Sequence, residues 1–183
     1  MLQQDSYKQH ISGQFNAELE AIKNHLLEMG GKVEEQISRA VESLLKRDSG
    51  EAVLVIAGDE EVNAMEVRID EECSRILARR QPAASDLRLV IAIAKVTTDL
   101  ERIGDEATKI ARQAVKLSEE GRSPSSYIEA RHIGSHVASM LRKALDAFAR
   151  LDVDMAVDVV VQDAEVDSEY GTALRSLVTF MME

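Results

Sequence analysis

The chain has no tryptophan, one cysteine, two prolines, and only 3% aromatic side chains among its 183 residues. The lone cysteine, Cys73, excludes an internal disulfide framework. So few aromatics and prolines also leave little from which to build a β-sandwich. The abundant Ala, Leu, Glu and Arg instead favour helix. Basic residues are in deficit too: 22 Lys and Arg stand against 33 Asp and Glu, for a net charge of −11. Nucleic-acid binding draws its affinity from Lys and Arg, so that partner class is excluded, and an anionic lipid surface is disfavoured for the same reason. With 30% charged residues there is no run apolar enough to span a bilayer. Met1-Leu-Gln-Gln-Asp5 holds no apolar signal core. The expectation is an all-α, cytoplasmic protein with no direct membrane insertion. Neither a glycine-rich phosphate loop nor an interpretable Ser-His-Asp set is present, so an enzyme is not expected.

What the chain does have is apolar spacing of three and four residues. Leu19, Ile22, Leu26, Met29, Val33, Ile37, Ala40 and Leu44 predict one long amphipathic helix over 13–47, with Gly30-Gly31 marking a bend. Asp48 or Ser49 caps a second helix that runs to Arg79, before Gln81-Pro82 breaks it. Ser85 caps a third, which carries Leu89, Ile93, Val96, Leu100, Ile103, Ala107, Ile110, Ala114 and Leu117 towards a stop at Gly121 and Pro124. Three such antiparallel helices make an up-down-up bundle.

The pattern then repeats at an offset of 104 residues. Asp48, Ala52, Val53, Val55 and Asp59 recur as Asp152, Ala156, Val157, Val159 and Asp163, and Gly30, Val33 and Ile37 match Gly134, Val137 and Leu141. Two further helices, 126–150 and 153 to the end, therefore copy the first two. The predicted architecture is two repeated three-helix bundles, the first complete in residues 1–124. The second, residues 125–183, lacks its last helix, so the chain reads as a truncated pair. Val157, Val160, Val161, Val166, Ala173, Leu177 and Phe180 are expected to face the open side and to favour a homo-oligomer.

Acidic residues border this pattern. Asp59, Asn63, Glu66 and Asp70 share one edge of the second helix, and Thr98, Glu101, Asp105 and Thr108 share one edge of the third. Facing carboxylates repel unless cations, protons or basic groups intervene, so the spacing points to a metal site or to partly protonated acids. Acids that flank a core seam and stay solvated give the same spacing. Gly104, between Glu101 and Asp105, permits close approach by a helix or an ion. Glu129 and His132 make the Glu-x-x-His spacing used by di-iron bundles, with His136 four residues on, but no second Glu-x-x-His exists, and their repeat counterparts His25, Glu28 and Lys32 fall off the apolar stripe of the first helix, so exposed side chains are expected. Arg79, Arg80 and Arg88 surround the Gln81-Pro82 break and suit a helix end or an anion. Cys73 lies on an apolar face as a core residue. A metal-dependent carboxylate enzyme and a metal store are the rival functions that these acids allow.

Five blocks then resemble the PhoU family of phosphate-transport regulatory proteins: His10-Ile-Ser-Gly-Gln-Phe-Asn-Ala-Glu-Leu-Glu20, Met29-Gly-Gly31, Val62-Asn-Ala-Met-Glu66, Arg80-Gln-Pro-Ala-Ala-Ser-Asp-Leu-Arg88 and Asp99-Leu-Glu-Arg-Ile-Gly-Asp105. The resemblance spans the chain and implies paired three-helix bundles. It also implies a cytoplasmic negative regulator of the phosphate-starvation response, acting between the ATPase of a phosphate ABC transporter and a sensor histidine kinase, with no catalytic step. Members of the family bind metal ions through Glu/Asp-x-x-x-Asp motifs. The resemblance therefore implies a site at Glu101 and Asp105, faced by Glu66 and Asp70 with Asp59 and Asn63 beside them, for a divalent or trivalent ion such as Fe, Zn, Mn or Mg. Asp163 and Asp167 would form part of a second site, which Tyr170 and Leu174, standing where Glu66 and Asp70 do, leave incomplete.

Overall fold

The computed structural model describes residues 2–120 and 128–182, with side chains for 13–120, 129–179 and 181–182. The helix stop expected at Gly121 and Pro124, the start expected at Ser126 and the side chain of Phe180 lie outside them. The described residues form five helices and no strand: α1 Leu2–Lys46, α2 Ser49–Arg80, α3 Ala84–Glu119, α4 Ile128–Arg150 and α5 Val153–Met182.

The apolar spacing of α1 becomes a buried line, with Ile22, Leu26, Met29, Val33 and Ala40 at 1% exposure or less. Val55, Val62 and Ile69 of α2 and Val90, Ile93 and Leu100 of α3 meet it. Burying each such side chain is worth about 1.5–3 kcal/mol relative to leaving it in water. The three helices pack pairwise around this single core. α1 starts earlier than the apolar spacing predicts, because no proline interrupts the chain before Gly13.

Helix ends follow local chemistry. Asp48 takes the cap of α2, accepting a hydrogen bond from the Glu51 backbone N–H at 3.0 Å. Arg47 before it adopts φ 53°, and the Asp48 N–H returns to the Ser43 carbonyl at 3.0 Å, closing α1. The α4–α5 joint copies this turn. Leu151 has φ 54°, the Asp152 N–H reaches the Ala147 carbonyl at 2.9 Å, and the Asp152 side chain accepts from the Met155 N–H at 3.0 Å. Ser85 does not cap α3: the helix begins at Ala84, with Ala83 in the cap position and no side-chain bond there.

The Gly30-Gly31 pair does not interrupt α1, which is continuous through it. Gly30 instead lies under Leu145 of α4, whose Cδ atoms are 2.6 Å from where a Cβ would sit. Gly134 of α4 lies under Val41 of α1 in the same way, at 2.7 Å. Gly30 and Gly134, like Val41 and Leu145, are repeat-related, so α1 and α4 cross about a pseudo-twofold axis with glycine opposite a branched side chain on each side. Arg142 and Glu34 pair across the same crossing.

Among the described residues α5 packs on α4 alone. Ala173, expected on the open face, is buried at 8% exposure and lies near Ile133 of α4. Val157, Val160, Val161 and Leu177 remain exposed. A groove of about 550 Å³ runs between α3 and the α4–α5 pair, lined by Val96, Leu100 and Ile103 on one side and Leu145, Phe148 and Val160 on the other.

Candidate functional site

Core packing of α2 against α3 brings the two acidic edges together. Asp59, Glu66 and Glu101 are half-buried, and Asp105 is exposed beside them. Burial first, then the negative charges of Asp105, Glu66 and Asp59, hold the Glu101 carboxyl above its ordinary pKa. None of these four acids has an ion-pair partner within 4.0 Å among the described residues. Asn63 and Asp70 are exposed. Asp163 and Asp167 are exposed on α5, as are Tyr170 and Leu174. Among the described residues no three His, Cys, Asp or Glu side chains converge tightly enough to hold an ion by themselves.

A further group lies behind the acids. Gln36 of α1 is only 7% exposed, and neither its Oε1 nor its Nε2 has a hydrogen-bond partner among the described residues. Its Oε1 is 3.1 Å from where a Cβ on Gly104 would stand, and Asp59 Oδ1, also buried and unpartnered, is 3.6 Å from the same point. One turn further along α3, the Thr108 hydroxyl is buried without a partner. Unpartnered buried polar atoms of this kind cost about 1–3 kcal/mol each, so three helices spend stability on keeping this nook polar. Gly104 makes room for the α1 side chain.

Gln36 is the residue that sequence reasoning passed over. The signal was present, because Met29, Val33, Gln36 and Ala40 follow one another at steps of four, three and four, which places a polar amide on the apolar line of α1.

The other candidates have structural roles. Arg80 makes a two-pronged pair with Glu18, at 2.9 and 2.6 Å, tying the end of α2 to α1, while Arg79 and Arg88 are exposed. His25 bridges Glu72 at 2.7 Å and Arg68 at 2.8 Å. His132 is exposed as expected, but His136 is half-buried and 3.3 Å from Glu169, because α5 packs against that face of α4. Cys73 is buried, and burial followed by the charges of Asp70 and Glu72 pushes its thiol up to about 11, away from nucleophilic use.

The sequence matches the PhoU domain over residues 26–114 and 130–183, and the two stretches begin at the offset of the internal repeat. It is 61% identical over 183 residues to the phosphate-specific transport system accessory protein PhoU homolog of Pseudomonas putida, covering 100% of this chain and 72% of that protein. The fold is similar to the crystal structure of PhoU from Pseudomonas aeruginosa, with TM-score 0.89 and 61% identity over 92% of this chain and 80% of that one. It is also similar to the phosphate transport system regulatory protein PhoU from Streptococcus pneumoniae, with TM-score 0.84 and 30% identity over 92% and 79% of the two chains.

Proposed function

Because this chain belongs to the PhoU domain family, we propose that it is an accessory regulator of phosphate transport, acting in the cytoplasm as a negative regulator of the phosphate-starvation response. The reading rests on one observation: likeness along the whole chain to an accessory protein of the phosphate-specific transport system. As a member of a family of accessory proteins, the chain is not an enzyme. It would act by contact, carrying the state of the transporter ATPase to a sensor histidine kinase. A net charge of −11 suits such relay better than direct capture of phosphate. No helix of the described residues is long and apolar enough to cross a membrane.

Metal binding is the second part of the proposal. The donors are carboxylate, amide and hydroxyl oxygens, which suit a hard cation. Glu101, Asp105, Glu66 and Asp59 would hold it, with Asn63 and Asp70 at the outer edge. The buried, unpartnered Asp59 Oδ1 fits such an ion. A bound cation would supply the charge that offsets the burial and the acidic neighbours now raising the Glu101 pKa. Asp163 and Asp167 would hold at most a partial second site.

The test is a phosphate-starvation reporter in the chain's host at high phosphate. Removing the chain should switch the reporter on, and restoring it should switch it off. A reporter that stays repressed without the chain would sink the regulatory reading. Elemental analysis of the purified chain beside a Glu101→Ala/Asp105→Ala variant tests the metal separately.

A further inference from the structure

We propose that Gln36 of α1 is a ligand for a cation held where α1, α2 and α3 meet, its amide oxygen acting beside the Asp59 carboxylate. This rests on the metal reading above and adds a third helix to it. Two acceptor oxygens, Gln36 Oε1 and Asp59 Oδ1, lie within 3.1 and 3.6 Å of a single point, both buried and both unpartnered. With Oε1 facing Asp59 neither oxygen can donate to the other, and a cation between them would hold that orientation, whereas the amide turned over would donate from Nε2 to Asp59 instead. Besides Asp59, the carboxylates of Glu66 and Asp105 act on Glu101 at this edge, and no basic side chain pairs with any of the four among the described residues. The acids by themselves do not close a ligand set. A neutral oxygen from α1 supplies a donor without adding repulsion, and the Thr108 hydroxyl is a further buried oxygen one turn along α3. A glycine at 104 is what leaves the amide its place: alanine there would put a methyl 3.1 Å from Oε1.

The placement gives the ion a mechanical consequence. Gln36 lies on α1 between Gly30 and Val41, two of the positions at which α1 meets α4. An ion that fixes Gln36 to α2 and α3 would therefore steady the helix that carries the second unit.

The experiment is Mn²⁺ uptake by the metal-stripped full chain, followed by electron paramagnetic resonance, for wild type, Gln36→Leu, Gln36→Glu and Glu101→Ala/Asp105→Ala. Far-UV circular dichroism and melting temperature are read on each. Gln36→Leu should weaken Mn²⁺ binding by about tenfold or more, while the metal-free variant melts no lower than wild type, since a buried unpaired amide has been removed. Gln36→Glu keeps an oxygen donor and should retain binding, with a steeper dependence on pH. Unchanged binding in Gln36→Leu, alongside loss in Glu101→Ala/Asp105→Ala, overturns the role of Gln36 and leaves the acidic site standing. A Gln36→Leu variant that melts lower and binds normally also overturns it, because the amide would then serve as a plain hydrogen-bond partner of Asp59. A wild-type chain that takes up none of Mn²⁺, Mg²⁺, Zn²⁺ or Fe²⁺ overturns the metal reading itself.

Discussion

Glu101 and Glu18 are both half-buried acids, and their surroundings push them in opposite directions. Glu101 is raised by burial and by its acidic neighbours, so the folded state binds its proton more tightly than the unfolded chain does. Its contribution to stability is present below the unfolded pKa and is lost as pH rises through the folded one. Glu101→Gln should therefore raise the melting temperature of the metal-free chain at pH 7. Melts across pH should show that gain shrinking to nothing below the ordinary carboxylate range. Glu18 is lowered, chiefly by its hydrogen bonds to Arg80, so its stabilisation is present at neutral pH and is lost as pH falls through the folded pKa. Glu18→Gln should lower the melting temperature at pH 7 and converge with wild type in acid. The crowding of acids near Glu101 was legible from three- and four-residue spacing. The pairing of Glu18 with Arg80, 62 positions apart, was not, because spacing along one helix says nothing about the register of two helices.

Two turns and one crossing set how the helices join. The Asp48 and Asp152 caps are repeat copies of each other, and each side chain satisfies one helix N–H. Asp48→Ala and Asp152→Ala should each cost about 1 kcal/mol in denaturant unfolding. The glycines of the crossing separate more sharply. Alanine at Gly31, which has nothing within 4 Å, should stabilise α1 by up to about 1 kcal/mol through helix propensity. At Gly134 it would meet the Cβ and both methyls of Val41, a β-branched side chain with little freedom to turn aside. At Gly30 it meets only the far end of Leu145, which can move. Gly134→Ala should accordingly loosen α4 from α1, visible as faster amide exchange along α4, while Gly30→Ala should change exchange much less. A glycine pair inside a helix reads as a bend from sequence, since the residue lowers propensity whatever its purpose. Its use here as a close-approach surface depends on α4, which lies more than a hundred residues further along.

The groove between α3 and the α4–α5 pair leaves apolar surface on both sides, and Val160 is 72% exposed along it. Covering such residues is favourable by about 1.5–3 kcal/mol each, which supports self-association of this chain. Sedimentation at micromolar concentration should give an average mass above the 20.2 kDa of one chain, and Val160→Asp should return it towards that value. A wild-type chain that stays at one-chain mass would count against the expected homo-oligomer. The net charge of −11 opposes association at low ionic strength, so added salt should strengthen it.

Helix content, the repeat, a cap of α2 at Asp48 or Ser49 and the acidic edges were determined by the sequence alone, because each is written in local spacing or in chemistry between near neighbours. The tertiary structure decided which of those acids crowd Glu101, why Gly30, Gly104 and Gly134 are glycines, and that Gln36 reaches Gly104 and Asp59. Those facts depend on where one helix lies against another. That placement follows from the summed burial of many apolar side chains rather than from any residue that can be read singly.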